Sequence, residues 1–137
     1  RSTLFPYTTL FRSIIDHNIH FTGFLPDEQR DWLLTKTAAY VFPSLMEGFG
    51  LPPLEAMAYG TPVVSSNVSC MPEILGDAAE YFDPLDTDDM AAAIERVITN
   101  PKRRRALIKK GTAQVAKYSW RRMAEETHAV YMKVLQP

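Results

Sequence analysis

Two glutamates and two glycines within one short stretch of the chain are the residues best suited to ligand chemistry. Glu47 follows an apolar run that predicts a buried strand, and residues 48–51 after it are rich in glycine. Glycine lets backbone amides approach a ligand closely. Pro53 predicts the start of a short helix whose first turn contains Glu55, and free N–H groups at a helix N-terminus attract phosphate. Carboxylates that face such a helix end suit a ligand with both hydroxyls and phosphates, as in a nucleotide sugar.

The same residues also have structural interpretations. A glutamate in the first turn of a helix stabilises it by ~0.3–1 kcal/mol through the helix dipole alone. Glu47, in turn, could be an ordinary loop carboxylate. The register of both glutamates with the glycines favours a binding role over these alternatives. For Phe49 two interpretations stay open: a core side chain, or a lid over the ligand.

The elements around these residues predict an α/β fold. Short apolar runs predict strands, and apolar residues at helical spacing predict helices between and after them. The predicted strands are 19–22, 39–42, 62–65 and 79–82. The predicted helices begin at Pro26 (with Trp32, Leu33 and Ala38 on its apolar face), at Pro53, before Met90, before Leu107 and after Ser119 as N-cap. This alternation is typical of part of a doubly wound, Rossmann-like parallel sheet, which binds ligands at its carboxyl edge.

Composition limits the class of protein without indicating its chemistry. The chain has 137 residues, of which 46% are hydrophobic and 23% charged, and its formal net charge is −1. These values predict one soluble globular domain, and the near-neutral charge argues against a dedicated nucleic-acid binder. No apolar run approaches the roughly 20 residues of a membrane-spanning helix. A single cysteine, Cys70, cannot form an internal disulfide and favours a reducing compartment such as the cytoplasm.

Residues 1–13 differ from the rest of the chain. They contain no acidic residue and show neither helical nor strand periodicity. The segment 3–13 resembles a one-frame translation of a sequencing-adapter oligonucleotide. This interpretation is favoured over a transit peptide, which is also rich in hydroxyls and poor in acids. The predicted organisation is therefore a non-native leader at 1–13 and a domain at 14–137 whose N-terminal part lies upstream of this chain.

From about Phe21 to Leu135 the sequence resembles the retaining group-1 (family 4) glycosyltransferases of GT-B fold. Glu47 and Glu55, with seven residues between them, resemble the E-x7-E signature of that family. The segments that carry the resemblance are 21–23, 43–64, 72–74, 76–78, 82–84 and 118–120. Glycogen-synthase-like glucosyltransferases are the nearest alternative of the same fold, and the sequence Gly-Phe-Gly-Leu-Pro-Pro at 48–53 modestly favours the group-1 type.

The resemblance implies a role for each matching residue. Glu47 would accept hydrogen bonds from hydroxyls of the transferred sugar and help to hold the anomeric carbon as its bond breaks. Glu55 would hold the ribose hydroxyls of the nucleotide. The residues whose backbone amides would contact the sugar and the diphosphate are Gly48, Phe49, Gly50 and Leu51. Neither a metal nor another cofactor is expected, because basic side chains and helix dipoles offset the charge of the leaving diphosphate.

The resemblance also implies partners. The donor would be a GDP- or UDP-linked hexose, mannosyl or glucosyl, and the acceptor a polysaccharide or glycolipid. An N-terminal Rossmann domain, the acceptor site and the basic residues for the diphosphate would lie upstream of Ile14, so this fragment is expected to be inactive alone. Peripheral contact with the inner face of the membrane is consistent with such substrates. The alternative hypothesis is a non-catalytic nucleotide-sugar-binding or interaction module.

Four other features have simpler interpretations. The D-x-D sequence 86–88 matches a metal-binding pattern, but it opens a predicted helix and is interpreted as a cap. His17 and His20 have metal-ligand spacing without further ligands, which predicts a solvated pair. The basic residues 102–105, 109 and 110 are interpreted as a solvated helix face, with contact to anionic lipid as the alternative. The apolar stripe of the last helix predicts a face that is exposed in the absence of its partner domain.

Overall fold

A three-stranded parallel sheet forms the centre of the molecule. The computed structural model describes residues 18–135. Its strands are β1 (Tyr40–Phe42), β2 (Val63–Ser66) and β3 (Ala79–Phe82), and they lie side by side in that order. Val63 of β2 pairs with Tyr40 on one side and with Ala79 on the other. All four residues of β2 are buried, as expected for a central strand that is covered on both faces.

Helices connect and flank these strands. Within residues 18–135 the α-helices are α1 (Asp27–Lys36), α2 (Leu51–Ala58), α3 (Met71–Leu75), α4 (Thr87–Ile98), α5 (Pro101–Val115) and α6 (Trp120–Leu135). A 3₁₀ turn at Gly76–Ala78 joins α3 to β3. The alternation of strands and helices confirms the predicted α/β class.

Two apolar clusters cover the two faces of the sheet. Val63 belongs to one cluster and its neighbour Val64 to the other, because successive residues of a strand point to opposite faces. The first cluster contains residues from α2 and α3, including Met57. The second contains residues from α4 and α5. Helix α5 also reaches the first face, where a Cβ added at Gly111 would lie 3.0 Å from Met57 Cγ. A larger residue at this position would require the Met57 side chain to shift by a few tenths of an ångström.

Three of the four predicted strands are confirmed, and the strand predicted at 19–22 is wrong. In the structure this segment has no strand partner, and Ile19 and Phe21 are 55% and 72% exposed. Apolar and β-branched residues favour a strand because they pack on a half-buried pleated surface. A short strand without a hydrogen-bonded neighbour has little stability of its own. The prediction failed because a strand needs a neighbouring strand, and the sequence does not show which segments lie side by side. No described strand pairs with this segment.

Helix α1 begins after Pro26 as predicted, but its apolar face was predicted wrongly. Its buried residue is Leu34, while Trp32 is 60% exposed, and Ala38 lies beyond the end of the helix. Thr61, from the turn before β2, donates a hydrogen bond to the Leu34 carbonyl. The apolar residues of α1 are distributed around the helix, so the pattern did not favour any one face. The tertiary contact with the Thr61 turn decides which residue is buried.

The capping predictions are confirmed. Asp86 Oδ1 accepts hydrogen bonds from the backbone N–H groups of Asp88 and Asp89, at 2.9 and 3.1 Å. The D-x-D sequence therefore caps α4. Ser119 Oγ accepts from the Arg122 N–H at 3.1 Å and caps α6. Within its described length, α6 has no buried residue.

Most of the basic residues of α5 are exposed, as predicted for a solvated face, but two of them also pair with carboxylates of other elements. Arg103 pairs with Glu80 of β3, whose side chain is only 5% exposed, and Arg96 of α4 binds the same carboxylate at 2.8 Å. Lys110 pairs with Asp77 at 2.7 Å. The side chains of Arg103 and Lys110 are still 48% exposed, so the predicted solvated face is confirmed for them. Helical spacing did not reveal which carboxylates of other elements they meet.

Candidate functional site

The predicted site lies where two neighbouring strands end. The loop 43–50 follows β1 and carries Glu47, and the loop 67–70 follows β2. Because parallel strands end at the same edge of the sheet, these two loops are adjacent. They are joined by hydrogen bonds between Glu47 and Ser69. Glu47 is therefore at the carboxyl edge, where the α/β pattern predicted it.

The Glu47 carboxylate is oriented by a short chain of hydroxyl groups. Ser44 Oγ donates to Glu47 Oε1 at 2.8 Å, and Ser66 Oγ at the end of β2 donates to the Ser44 carbonyl at 2.6 Å. A carboxylate offers about four acceptor positions on its two oxygens. One neutral hydroxyl therefore orients the carboxylate and leaves most of its acceptor capacity for a ligand.

The backbone of Glu47 is held from the β2 side. Ser69 Oγ accepts from the Glu47 N–H at 3.2 Å and donates to the Glu47 carbonyl at 3.1 Å. The Cys70 thiol donates to the same carbonyl, with a sulfur–oxygen distance of 3.3 Å. Ser44, Ser69 and Cys70 were not predicted as site residues. Ser44 is close to Glu47 in sequence, but the contacts of Ser69 and Cys70 span 22 and 23 residues, so only the topology could have indicated them.

Gly50 determines where helix α2 starts. Its backbone has φ +90°, and a Cβ at this position would lie 2.3 Å from Met71 Cε. Backbone conformation therefore favours glycine here, and a Cβ would also force the end of the Met71 side chain to move. As a result, α2 begins at Leu51, two residues before the predicted start at Pro53. Of the four residues predicted to offer loop amides, Gly48, Phe49 and Gly50 lie in the loop. Leu51 is the first residue of α2.

The N-terminus of α2 presents few but unpaired donors. The first turn contains Pro52 and Pro53, which have no N–H group. In the described part of the chain, no backbone hydrogen bond is donated by Gly48, Phe49 or Gly50. These amides stand at the positive end of the helix, where an anion would be stabilised. A phosphate at this position would be bound through the loop amides rather than through the helix's own first turn.

Phe49 is packed on one side and open on the other. Its ring meets the Tyr118 ring edge to face, with centroids 5.5 Å apart and an interplanar angle of 86°. Tyr118 is itself anchored, because its hydroxyl donates to the Ile74 carbonyl at 3.0 Å. Phe49 remains 40% exposed. The ring is therefore attached to the body of the domain, and a role as a lid stays a prediction.

Glu55 lies in the second turn of α2, which corrects the sequence-based placement in the first turn. The difference arises because the helix starts earlier than predicted. It weakens the structural interpretation of Glu55 as a residue that stabilises the helix dipole, because that effect falls off beyond the first turn. Glu55 is exposed. Burial raises the pKa of the half-buried Tyr40 phenol, and the negative charges of Glu55 and Glu47 raise it further. Both carboxylates therefore act on one phenol, that of the first residue of β1.

Neither His20 nor the acidic residues 86–88 belong to a metal-binding group in the part of the chain that the structure describes. Among residues 18–135, no three histidine, cysteine, aspartate or glutamate side chains are grouped so that they could hold a metal ion. His20 is exposed, while His17 and the leader 1–13 lie outside the described residues. No helix within 18–135 is long and apolar enough to cross a bilayer. The expectation that no metal is needed remains a prediction.

The fold and the site together define an α/β domain whose candidate site lies at the carboxyl edge of its parallel sheet. Comparison with known families gives this class a name. The family described as "Glycosyl transferases group 1" matches residues 13–114, and the chain belongs to this family. The resemblance found in the sequence is thereby confirmed at the level of the family.

Individual relatives and a solved structure agree with this assignment. The chain is 40% identical over 113 residues to O-antigen chain mannosyltransferase B of Escherichia coli, covering 82% of this chain and 30% of the relative. It is 36% identical over 121 residues to MMP alpha-(1->4)-mannosyltransferase of Mycolicibacterium hassiacum, covering 85% and 29%. The structure of sucrose-phosphate synthase from Thermosynechococcus elongatus matches with a TM-score of 0.80 and 27% identity, covering 93% and 33%. The chain thus spans about a third of the length of these proteins.

Proposed function

We propose that this chain is the donor-binding part of a retaining, nucleotide-sugar-dependent hexosyltransferase. The observation that carries the proposal is the arrangement of Glu47, which is oriented by a single neutral hydroxyl beside unpaired loop amides at the start of α2. Family membership supports the reaction type. The relatives named as mannosyltransferases favour a mannosyl donor within the hexoses. The transferred sugar would lie between the Glu47 carboxylate and the N-terminus of α2.

Glu47 would act on the sugar as its bond to the diphosphate breaks. Positive charge develops at the anomeric carbon in an oxocarbenium-like transition state. A carboxylate that binds hydroxyls of the same sugar keeps its negative charge close to that carbon. The interaction strengthens as charge develops, so it lowers the barrier rather than only the energy of the bound donor. Ser44 orients the carboxylate before the sugar arrives, so that little reorganisation is needed.

The diphosphate and the nucleotide would bind on the α2 side of Glu47. Backbone amides of residues 48–51 would donate to the diphosphate, whose charge the positive end of α2 stabilises. Glu55 is one turn further along the same helix and exposed, so its carboxylate is available to the ribose hydroxyls. An acidic residue commonly accepts from ribose hydroxyls in nucleotide-binding α/β folds. The donor would thus extend along α2 from the sugar at Glu47 to the ribose at Glu55.

The remaining partners follow from the same proposal. The donor would be GDP- or UDP-linked, and the acceptor a carbohydrate or a lipid-linked glycan. The reaction would need no metal or other cofactor, and the acceptor site and basic diphosphate contacts would come from an N-terminal Rossmann domain. The protein would act in the cytoplasm, with peripheral contact at the inner face of the membrane. By this proposal, residues 14–137 alone bind donor without transferring sugar.

Glycosyl transfer by the protein encoded in the complete open reading frame tests the proposal. The purified protein is assayed with GDP-mannose, UDP-glucose and their relatives, and hydrolysis of the donor is recorded beside transfer. Glu47→Gln, which keeps shape and removes charge, should lower kcat by at least ~10²-fold, as expected for the loss of a transition-state contact. Glu95→Gln on the exposed side of α4 is the matched control and should leave kcat unchanged. Near-parental kcat in Glu47→Gln would refute the role of Glu47.

Binding without turnover would favour the second candidate. A module that binds a nucleotide sugar but transfers nothing would show donor affinity in calorimetry and no product with any acceptor. The specific observation in its favour is that Glu47, the unpaired amides of residues 48–50 and the exposed Glu55 are all candidate contacts for a donor, and none of them is assigned to an acceptor. The assay of the complete protein distinguishes the two functions directly.

A further inference from the structure

Ser69 has an unusual relation to Glu47. One hydroxyl group both accepts from the backbone N–H of Glu47 and donates to its carbonyl, at 3.2 and 3.1 Å. Both polar backbone groups of Glu47 are therefore held by one side chain from another loop. Cys70 adds a weaker contact to the same carbonyl. These contacts attach the Glu47 backbone to the end of the central strand.

Ser69 has a left-handed backbone conformation. Its φ is +59°, and among residues 18–135 it is the non-glycine residue with positive φ. Non-glycine residues in the left-handed region are uncommon and carry a conformational cost. A glycine would adopt the same backbone without that cost, but it has no hydroxyl. The presence of serine here therefore suggests that the hydroxyl has a use that outweighs the backbone strain.

The loop that carries Glu47 needs such an anchor. Leu45 and Met46 are 59% and 84% exposed, and a Cβ placed on Gly48 would meet no atom within 4 Å. Packing therefore contributes little to the position of the loop between Ser44 and Phe49. The hydrogen bonds from Ser69 and Ser44, with the weaker contact from Cys70, hold the Glu47 backbone and carboxylate in place.

We propose that Ser69 is a positioning residue for Glu47 in the transfer reaction. The inference rests on the proposed function, because it assigns to Ser69 the task of placing the Glu47 carboxylate against the transferred sugar. Ser69 holds the backbone while Ser44 holds the side chain, and both contacts lead to the carboxyl end of β2. A displacement of about 1 Å of a group at the reacting centre can lower the rate by about 10²-fold. Loss of the hydroxyl should therefore affect turnover more than donor binding.

Two substitutions at the same position separate the hydroxyl from the backbone conformation. In the complete protein, Ser69→Ala and Ser69→Gly both remove the hydroxyl, but only glycine removes the left-handed strain. We expect both to lower kcat by about tenfold or more, with the KM for donor within about twofold of the parent. Thr99→Ala removes an exposed hydroxyl at the C-terminal end of α4 and should leave kcat unchanged. Parental kcat in Ser69→Gly would overturn the proposal, because only the backbone conformation would then matter.

A double substitution tests whether Ser69 acts through Glu47. Residues that act as one unit have non-additive effects. In the Glu47→Gln protein, adding Ser69→Ala should lower kcat by no more than about twofold further. A further tenfold loss would show an independent role and overturn the positioning assignment. Parental kcat in Glu47→Gln alone would refute the proposed function instead, so the two failures are distinguishable.

Discussion

Two glutamates of this domain, Glu47 and Glu80, have opposite surroundings. Glu80 of β3 is buried, and its two carboxylate oxygens each bind a guanidinium, from Arg96 and Arg103. Glu47, in the loop after β1, is only partly buried, and its carboxylate meets one neutral hydroxyl. Both carboxylate oxygens of Glu80 are paired within the protein, whereas the Glu47 carboxylate can still accept hydrogen bonds from a ligand. A structural carboxylate therefore differs from one that is available to a ligand in the number and the charge of the groups bound to it.

The largest expected effect on stability is that of Glu80→Gln. Removing the charge leaves two guanidinium groups close together without their shared partner. Breaking a buried ion pair costs about 3–5 kcal/mol. We expect a loss near the lower end, about 3 kcal/mol in the free energy of unfolding, because the side chains of Arg96 and Arg103 are 44% and 48% exposed and keep part of their hydration.

Denaturant unfolding of the complete protein measures this loss, with Glu95→Gln as the exposed control that should stay within about 0.5 kcal/mol. Glu47→Gln in the same experiment should also remain close to the parent, since its carboxylate has a single neutral partner. The contrast between the two glutamates fails if Glu80→Gln and Glu47→Gln cost the same.

A smaller effect on stability is expected from Gly50→Ala. This variant tests the glycine that ends the loop carrying Glu47. Alanine at φ +90° is strained by roughly 1–2 kcal/mol, and its Cβ would require Met71 Cε to move. We expect a loss of about 2 kcal/mol in the free energy of unfolding, because the end of the Met71 side chain can partly adjust.

Gly48→Ala is the matched control for Gly50→Ala. Its Cβ would meet nothing within 4 Å, so unfolding should change by less than about 0.5 kcal/mol. The two alanine variants are compared by denaturant unfolding and by the KM for donor. Equal stability of both would contradict the packing of Gly50 against Met71.

The smallest expected effect is that of Glu55→Gln, which extends the comparison to a third carboxylate. Glu55 is exposed and is proposed to bind the ribose equally in the ground state and the transition state. The KM for donor should therefore rise about tenfold, equivalent to ~1.4 kcal/mol, while kcat changes by less than about twofold. Steady-state kinetics of the complete protein measure both constants. A fall in kcat with unchanged KM would instead place Glu55 at the reacting centre. Glu55 and Glu47 would then have the same kind of role.

Much of the fold followed from local sequence. The strand at 79–82 was predicted with its observed limits, and the caps at Asp86 and Ser119 were predicted as found. These features depend on residues that are neighbours in the chain, so their spacing contains the information. The strand predicted at 19–22 and the apolar face predicted for α1 were wrong for the complementary reason. Both depend on what lies beside the element in space.

The candidate site divides in the same way. The sequence by itself determined the order of Glu47, the glycines and Glu55, and through that order the family to which the chain belongs. Tertiary structure alone decided that Ser69 holds the Glu47 backbone and that Glu80 is enclosed by two arginines. The physical reason is that spacing along the chain specifies local conformation, whereas a hydrogen bond across 22 residues forms only when the parallel sheet brings two loops to one edge.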